Sequence, residues 1–561
     1  MTETDTLEFS TFATVADEIE ATGSTTKKAE LLSDLLQDAG ADVGLAARFM
    51  KGDIFAAWSD EKVSVGNATI YDALALASGQ SAEAVESLVA DVGDPGEVCL
   101  QLELSPTTGQ VTLGKAASSH TVSSVFDAFS EIASVSGSGS QTEKVERIKR
   151  LLLDADSSEA KYIVRLLLNK MRIGVGDGTV RDALAHAFDV DVELVKRGMM
   201  VTNDVELVAE TARDGGNEAL SELSIVLGRP IKPMLATKSS KTDAIADAGG
   251  KSGDVAVEWK YDGARLQCHV TPESIRLFSR RMVEVTDSMP DVCARLRDHT
   301  NVSSAIIDCE VVAYASDSDG PAPFQEVMTR FKRKHNVEEM TEKVQLSLYS
   351  FDILYVEGDS LIDSDLLKRR ERLETAVSDE ILAPRWTAST AEEIARIEEE
   401  SLESGHEGVM VKNPDSTYQP DNRGKNWVKI KPAVETLDCV VVGAEWGEGR
   451  RSHLLGTFML AIQDEDTGEL QRIGKVGTGL SDAKLAELTE RLKPLIESET
   501  GKNVTVTPNI VFEVGTEEIQ PSPTYESGYG LRFPRFIEIR EDKGVEDIET
   551  VERVNRLYDA Q

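Results

Sequence analysis

The stretch EWKYDGARLQ, residues 258–267, places a lysine inside a run that otherwise suits a buried β-strand. Val255 and Val257 lead into Lys260. Burial disfavours an ammonium unless its charge is paired or its pKa is lowered. Glu258 lies two positions earlier and would point to the same face of a strand as Lys260. The Tyr-Asp-Gly turn that follows leaves the amine at a strand end, where a nucleophilic amine can meet a phosphate.

The pattern Lys-x-Asp-Gly is short, and a solvent-facing lysine on an edge strand would give the same four letters. Five further stretches favour a site, because each puts a charged or aromatic residue into an otherwise apolar strand. They follow in one order: SRR (279–281), DCEVVAY (308–314), SLYSFDILY (347–355), EGVMVK (407–412) and NWVKIKP (426–432). A single scaffold that brings all six stretches together is a better explanation than six coincidences.

The elements around these stretches predict three domains. Apolar residues recur at helical spacing from about residue 10 to 225, which indicates an all-α domain. Short alternating runs interleaved with helical ones between about 255 and 431 indicate an α+β domain, and strand-rich sequence with glycine turns continues to the C-terminus. We place the domains at 1–228, 229–432 and 433–561, with the proline-containing LGRPIKPML (227–235) as the hinge. A small Greek-key barrel is the economical prediction for the last domain.

Charge is the most unusual bulk property of the chain. The 99 acidic residues outnumber the 60 basic ones, giving a net charge of −39, and only 28 of the basic residues are lysines. Such a charge normally argues against a nucleic-acid partner, but the acids are spread through every segment. That distribution is typical of a protein kept soluble in molar salt, where the Debye length is about 3 Å and the repulsion of DNA is screened. We therefore predict a halophilic protein, an acidic mesophilic protein being the alternative.

The six stretches together resemble the motifs of the nucleotidyltransferase superfamily, which holds ATP-dependent DNA ligases and mRNA capping enzymes. Their order and spacing are most similar to archaeal ATP-dependent DNA ligases of the replicative type, here of haloarchaeal character, over the whole chain. The resemblance implies an all-α DNA-binding domain, an α+β nucleotidyltransferase (adenylation) domain and a C-terminal β-barrel OB-fold. It also implies a ligase that seals 5′-phosphate/3′-hydroxyl nicks in replication, repair and recombination.

The same resemblance implies a role for each matching residue. Lys260 would attack the α-phosphate of ATP and hold AMP as a phosphoramidate. Glu310 and Glu407 would lie on the ribose and Mg²⁺ side of the pocket, because phosphoryl transfer uses a divalent cation, and Lys412 would support the lysines that neutralise the α-phosphate. The implied nucleotide contacts are Glu258 at the adenine amino group, Phe351 on the purine face, Arg265 and Arg280 at ribose and phosphate, Arg423, and Lys429 and Lys431 at the α-phosphate. Taken one at a time, without the resemblance, these residues have simpler interpretations. Phe351 would be part of the core, and an arginine after a strand would be a solvated strand end. The stretch DNRGKNW would be a polar turn.

The segment KMRIGVGDGTVRDALA (170–185) favours DNA over RNA as the substrate. It offers basic residues, a glycine-rich loop with free N–H groups and a predicted helix start at Thr179. It resembles the arginine-isoleucine-glycine loop with which replicative DNA ligases grip duplex backbone, which implies Arg172, Gly174 and Arg181 as DNA contacts. A plain glycine-rich turn between helices is the alternative. TRFKRKH (329–335) predicts a second phosphate-binding patch, or else a solvated helix face.

Near the C-terminus, Arg540, Asp542 and Lys543 resemble the R-x-D-K motif that closes the ligase barrel domain. In the family this patch orients pyrophosphate and then swings away, so a movable domain is implied. Two rival functions stay open: an RNA ligase or capping-type nucleotidyltransferase, and a non-catalytic nick-binding nucleotide sensor.

The remaining expectations concern location and partners. MTETDTLEFSTF lacks a signal-peptide pattern and no apolar run reaches about 18 residues, so we expect a cytoplasmic protein without a membrane segment. Nicked double-stranded DNA is the expected partner of a monomer, with the replication sliding clamp entering as a family expectation alone. Five scattered cysteines predict neither disulfides nor a zinc site.

Overall fold

The structure is a computed structural model. It describes residues 6–56, 58–59, 61–104, 120–137, 139–314, 320–322, 324–331, 337–421, 423–431, 435–447, 451–465 and 467–559. The chain divides into two compact units, Met1–Lys431 and Pro432–Gln561. Over the described ranges, none of the helices has both the length and the apolar character needed to cross a bilayer.

The N-terminal part of the larger unit is helical. Its helices are α1 (Phe9–Ala21), α2 (Thr25–Asp38), α3 (Val43–Lys51), α4 (Asn67–Ser78), α5 (Ala82–Val92), α6 (Pro95–Val98), α7 (Val122–Ser134), α8 (Ser140–Asp154), α9 (Ser157–Leu167), α10 (Asp177–Ala187), α11 (Val192–Thr202) and α12 (Val205–Glu222). Their apolar faces share one core, in which Phe12 contacts the rings of Phe9, Phe49 and Tyr162. Polar side chains cap several helix starts. At α9 the Asp156 carboxylate accepts a hydrogen bond from the Glu159 N–H, and the Glu159 carboxylate accepts one from the Asp156 N–H, so two otherwise unpaired N–H groups are satisfied.

Two five-stranded sheets form the rest of the larger unit. The first has strand order β1-β10-β9-β2-β8 and the second β4-β3-β5-β6-β7. The strands are β1 (Thr237–Lys238), β2 (Val255–Trp259), β3 (Ala264–Val270), β4 (Ile275–Ser279), β5 (Ala305–Tyr314), β6 (Gln345–Val356), β7 (Asp359–Ser360), β8 (Arg385–Ala388), β9 (Val409–Lys412) and β10 (Trp427–Ile430). The helices are α13 (Lys241–Ala248), α14 (Pro290–His299), α15 (Phe324–Phe331), α16 (Val337–Lys343), α17 (Leu366–Ala376) and α18 (Ala391–Glu403).

The alternation within these strands explains why charges interrupt apolar runs. In the first sheet one face carries Val257, Val411 and Val428, which pack in a core with α13 and α18. The opposite face carries polar side chains and turns toward the second sheet, where Phe351 contacts Trp427 at a ring-centroid distance of 6.3 Å. The charged residues of the six stretches therefore share the space between two sheets, and the apolar residues between them build the outer cores.

The smaller unit is strand-rich. It contains β11 (Glu435–Trp446), β12 (Leu455–Gln463), β13 (Leu470–Val476), α19 (Asp482–Leu492), β14 (Ile496–Thr500), β15 (Asn503–Val506), β16 (Val511–Thr516), β17 (Glu518–Pro521), β18 (Tyr529–Arg532), β19 (Arg535–Ile539) and α20 (Val551–Asp559). The long strand β11 pairs antiparallel with β12, β15 and β16, so the sheet bends around one core as in a Greek-key barrel. The predicted fold class, an all-α, an α+β and a C-terminal OB-type β domain, is confirmed.

One predicted boundary is wrong. Helix α10 begins at Asp177 and not at Thr179, because Gly176 takes the extended N-cap conformation and Asp177 and Gly178 already belong to the helix. Thr179 lies buried in the first turn. A threonine is a common N-cap in a sequence, but the glycine ahead of it fills that position here.

The pair Asp352 and Arg369 generates a stability prediction. Both side chains are 0% exposed, with Nε and Oδ1 2.8 Å apart, and Arg369 also donates to the carbonyls of Ser364 and Ser416. Arg369→Met leaves a buried carboxylate without its partner, so the free energy of unfolding should fall by about 3–5 kcal/mol. Urea unfolding in high KCl measures this change.

The matched control is Lys343→Met, which removes an exposed pair with Glu339 on α16. It should change the free energy of unfolding by less than about 0.5 kcal/mol. Equal shifts for the two variants would contradict the buried-pair interpretation.

Candidate active site

Lys260 lies directly after β2, at the mouth of the space between the two sheets. Its backbone N–H donates to the Gly408 carbonyl at 2.8 Å, and its own carbonyl accepts from the Glu407 N–H at 2.9 Å. These bonds extend the β2–β9 ladder by one residue and fix the lysine against the neighbouring turn. Gly408 is required there, because its φ is +125° and a Cβ would lie 2.4 Å from the Ile430 carbonyl oxygen.

The side chain of Lys260 pairs with Glu407. Its Nζ contacts Glu407 Oε2, and Lys431 Nζ lies 3.1 Å from the same oxygen. Burial acts to raise the pKa of Glu407, but the two ammonium groups outweigh it and hold that pKa at about 2. Glu407 therefore stays ionised, and one carboxylate orients two of the predicted cations.

Glu310 has the opposite character. It lies on β5 directly across from Arg265 on β3. Burial raises the pKa of Glu310 to about 7 and Glu407 adds to the rise, although Lys260 and Arg265 act in the other direction. The site thus holds two carboxyl groups whose environments push their pKa values apart, a pattern typical of sites that handle protons or charged phosphates.

Glu258 sits deeper on the same face of β2 as Lys260. Lys412 Nζ lies 2.5 Å from Glu258 Oε2, and both side chains are almost completely buried. Oε1 of Glu258 is buried without a hydrogen-bond partner. A buried carboxylate oxygen that lacks a donor is costly, and a ligand amino group would satisfy it. This geometry fits the predicted contact with the adenine amino group.

An aromatic wall faces Glu258. Lys412 Nζ lies 4.7 Å from the ring centroid of Phe351 and 4.3 Å from that of Trp427, and burial lowers the pKa of Lys412. Phe351 is half-buried, and so is Met410, which lies directly across from Glu258 in the β2–β9 register. A flat purine placed against Phe351 would bring its edge toward Glu258.

Arg265 is held by a buried polar network. Its guanidinium contacts Asp308 and donates to the Tyr418 hydroxyl at 2.8 Å and to the Met234 carbonyl at 2.8 Å. The Tyr418 hydroxyl also donates to Asp308 at 2.8 Å. Asp308 and Tyr418 are functional candidates that the sequence interpretation missed. Asp308 stands in the quoted stretch DCEVVAY, whereas Tyr418 follows a loop without periodicity.

The other predicted contacts lie at the rim. Arg280 and Arg423 are exposed, in the turn after β4 and in the loop before β10. Lys429 stands on β10 directly across from Met410, on the same face as the neighbouring Lys431. The structure therefore brings the predicted nucleotide-contacting residues to one region between the two sheets.

The predicted DNA-contacting residues lie in a separate region: Arg172 and Gly174 in the loop between α9 and α10, and Arg181 on α10. Arg172 adopts φ +59° and donates to the Gly93 carbonyl at 3.0 Å, while Arg181 pairs with Asp182. Gly174 has φ +68°, and a Cβ there would lie 2.7 Å from Lys28 Nζ. The left-handed conformation favours glycine at this position, whereas the Lys28 side chain can move away from a new Cβ.

The phosphate-binding role of TRFKRKH is wrong for Arg330. This side chain is 0% exposed and donates to Asp291 and to the Val344 carbonyl, so it ties α15 to the core and cannot reach DNA. Residues 332–335 lie outside the described residues.

In the smaller unit, the R-x-D-K residues converge on Asp438. Arg540 lies 3.1 Å from the Asp438 carboxylate and Lys543 Nζ 2.5 Å from it, and Arg540 also pairs with Asp542 at 2.8 Å. Asp438 is buried on β11 and holds the two basic side chains in place. Asp438 is a further residue that the motif alone did not reveal.

The donor set decides how a magnesium ion fits. Within the described ranges no three His, Cys, Asp or Glu side chains gather as a metal site. Glu310 and Glu407 are the carboxylates beside Lys260, and Glu407 is engaged by two lysines. Magnesium in phosphate-handling enzymes is usually held by one or two carboxylates together with substrate phosphates. The residues therefore fit an ion that is completed by nucleotide oxygens.

Three family models match the chain in sequence. They are described as DNA ligase N terminus (residues 8–185), ATP dependent DNA ligase domain (233–431) and ATP dependent DNA ligase C terminal region (451–543). The site described above lies within the second. The domain of two facing sheets, with Lys260 paired to Glu407 at the edge of the space between them, is therefore a nucleotidyl-transfer domain.

Full-length relatives agree with these models. A DNA ligase from Natronomonas pharaonis is 46% identical over 98% of this chain and 100% of its own length. DNA ligases from Haloarcula marismortui (44%) and Thermococcus fumicolans (42%) each match 99% of this chain and 99–100% of their own. The solved structure Pmar-Lig_PreS3 is 16% identical, covers 94% of this chain and 99% of its own, and shares the fold with a TM-score of 0.58. The chain belongs to the ATP-dependent DNA ligase family.

The raised pKa of Glu310 generates a pH prediction. The folded protein keeps a proton on Glu310 up to about pH 7, whereas the unfolded chain releases it near the usual 4.5. Stability from this group is therefore present at low pH and is lost as the pH rises through about 7. Glu310→Gln should remove that loss. The urea midpoint of the variant, relative to that of the wild type, should therefore rise between pH 5.5 and pH 8.5.

Glu538→Gln, which changes an exposed carboxyl on β19, is the control and should show a constant difference from wild type. A difference between Glu310→Gln and wild type that does not change with pH would contradict the raised pKa.

Proposed function

We propose that this ATP-dependent DNA ligase seals nicks through a covalent adenylate on Lys260. The Lys260 ammonium first gives up a proton, and the neutral amine then attacks the α-phosphorus of ATP, so that a P–N bond forms and the bond to the departing pyrophosphate breaks. The 5′-phosphate of the nick then takes the AMP and frees the lysine. Finally the 3′-hydroxyl attacks that 5′-phosphorus, a phosphodiester forms and AMP leaves. The observation that carries this proposal is the Lys260 amine held on Glu407 beside Lys431, on the same strand face as the unpaired Oε1 of Glu258.

The surrounding residues support the remaining roles. We infer that Glu258 accepts from the adenine amino group and that Phe351 stacks on the base. Lys429 and Lys431 neutralise charge that develops on the α-phosphate, because fixed cations in a site of low dielectric act strongly. Arg265, Arg280 and Arg423 contact ribose and phosphate, and the guanidinium fork suits those oxygens. Magnesium, bound by Glu310 and Glu407 with nucleotide oxygens, would supply further charge neutralisation.

The helical domain supplies the DNA contact. We infer that Arg172, Gly174 and Arg181 receive backbone phosphates of nicked duplex, with domain limits at 1–228, 229–432 and 433–561. In this proposal Arg540, Asp542 and Lys543 orient pyrophosphate during the first step. We further propose a cytoplasmic monomer, with the sliding clamp as a candidate partner on the strength of the family.

Lys260→Ala tests the covalent step. Without the amine no adenylate can form, so uptake of label from α-labelled ATP should fall by at least about a hundredfold. Sealing of a nick that already carries 5′-AMP should survive, because that substrate enters after the first step. Gel-based assays in high KCl measure both activities.

Lys368→Ala, at an exposed lysine on α17, is the control and should retain both activities. Label that stays on the denatured Lys260→Ala protein at the wild-type level would refute the assignment of the nucleophile.

Gly174→Ala tests the DNA-contacting loop. The left-handed conformation costs an L-residue about 1–2 kcal/mol, so alanine strains the loop, while the Lys28 side chain near the new Cβ can move aside. We expect nicked-duplex binding to weaken on the order of tenfold while label uptake stays normal. Gly178→Ala is the control, because a Cβ there meets nothing within 4 Å. Equal binding by the two variants would exclude this loop from the DNA contact.

A further inference from the structure

The segment that joins the helical and adenylation domains is bonded to the active site along its length. We call Ile231–Met234 the strap. Gln267 on β3 accepts from the Ile231 N–H at 2.7 Å and donates to the Ile231 carbonyl at 3.2 Å. At the other end, the Met234 N–H donates to Tyr418 at 3.0 Å and the Met234 carbonyl accepts from Arg265 at 2.8 Å. A linker with this many internal bonds is held in one conformation and does not act as a loose tether.

Between these anchor points the strap carries Lys232, which bridges two distant acids. Its Nζ contacts Asp177 Oδ2 and lies 3.5 Å from Asp421 Oδ2. Asp421 also donates its backbone N–H to the Pro233 carbonyl at 3.2 Å. The side chain of Lys232 is 11% exposed. The buried Lys232 ammonium is less accessible to counterions than the cation of an exposed pair such as Lys196 with Glu193, although both of its acids are partly exposed.

The two acids belong to the two regions that the reaction must bring together. Asp177 is the first residue of α10 and ends the loop that carries Arg172 and Gly174. Asp421 stands two residues before Arg423, at the rim of the nucleotide site. Lys51 gives Asp177 a second partner at 3.3 Å. Burial acts to raise the pKa of Asp177, but Lys51 and Lys232 outweigh it and lower that pKa, so the carboxylate is ionised and the bridge is formed.

We propose that Lys232 is a positioning residue that holds the DNA-contacting loop at a fixed distance from the nucleotide site. The proposal rests on the proposed function, because it assigns the loop to the nick and Lys260 to the adenylate. Misplacing reacting groups by about 1 Å can cost on the order of a hundredfold in rate. Loss of the bridge should therefore slow the steps that use DNA and spare the step that uses ATP alone.

The experiment separates those steps. Lys232→Met, Lys232→Arg, Asp177→Asn and the Lys232→Met/Asp177→Asn double variant are assayed in high KCl for label uptake without DNA and for kcat and KM on nicked duplex. Lys196→Met, which removes an exposed pair with Glu193 on α11, is the matched control. For Lys232→Met we expect label uptake within about twofold of wild type and a sealing kcat lowered about tenfold or more. Lys232→Arg should restore most of the sealing.

The double variant tests whether the two residues act through each other. It should seal no more slowly than Lys232→Met, because the bridge is already lost in the single variant. Additive losses would overturn the bridge, and so would sealing by Lys232→Met at the level of Lys196→Met. An equal fall in label uptake and in sealing would also overturn the proposal, because it would show that the strap supports the nucleotide site alone. If Lys232→Met does not fold, Asp177→Asn carries the test, since Lys232 then keeps Asp421 as its partner.

Absence of label on the wild-type protein is a different outcome. It would overturn the proposed function, whereas the results above concern the bridge alone.

Discussion

One charged contact organises the candidate active site: the Lys260 ammonium against the Glu407 carboxylate, with Lys431 on the same oxygen. The contact joins the end of β2 to the turn before β9, and two backbone bonds between Lys260 and Glu407–Gly408 hold its ends in register. A lysine at a strand end would otherwise sample many rotamers at an entropy cost to any reaction. Here the amine is ordered in advance, and in the proposed reaction a phosphate that displaces Glu407 would meet two cations already in place.

The two-sheet architecture allows such a contact to exist in a folded protein. Each sheet buries an apolar face in its own core and turns a polar face inward. Buried charges are tolerated when each has a partner, and the inner faces supply partners in pairs: Glu258 with Lys412, Asp308 with Arg265, and Asp352 with Arg369. Among these carboxylates, Glu258 has an oxygen, Oε1, that is buried without a donor. This unmet hydrogen bond lies where the base is proposed to bind.

Sequence patterns predicted most of the fold because the periodicities are strong. Strand β6 contains the quoted run SLYSFDILY, and the charged residues in apolar strands correctly indicated the face that bears the site. The patterns could not predict which side chains pair with each other across the fold. Arg330 looks like part of a basic surface cluster, yet it is buried against Asp291, and Tyr418 has no pattern at all. Such pairs join residues that are far apart in the chain, such as Asp177 and Lys232. The periodicity of a single sequence does not encode them.

These ion pairs bear on DNA binding by a chain whose net charge is −39. The two arginines of the proposed DNA contact are already engaged by this chain: Arg172 donates to the Gly93 carbonyl and lies 3.6 Å from Asp94, and Arg181 pairs with Asp182. A DNA phosphate must therefore exchange with an internal acceptor and does not simply neutralise a free cation. Such an exchange changes the number of ion pairs little, so less affinity comes from released counterions than for a basic protein. Position then matters more than net charge, and a chain this acidic can bind DNA wherever its few cations are held in the right geometry.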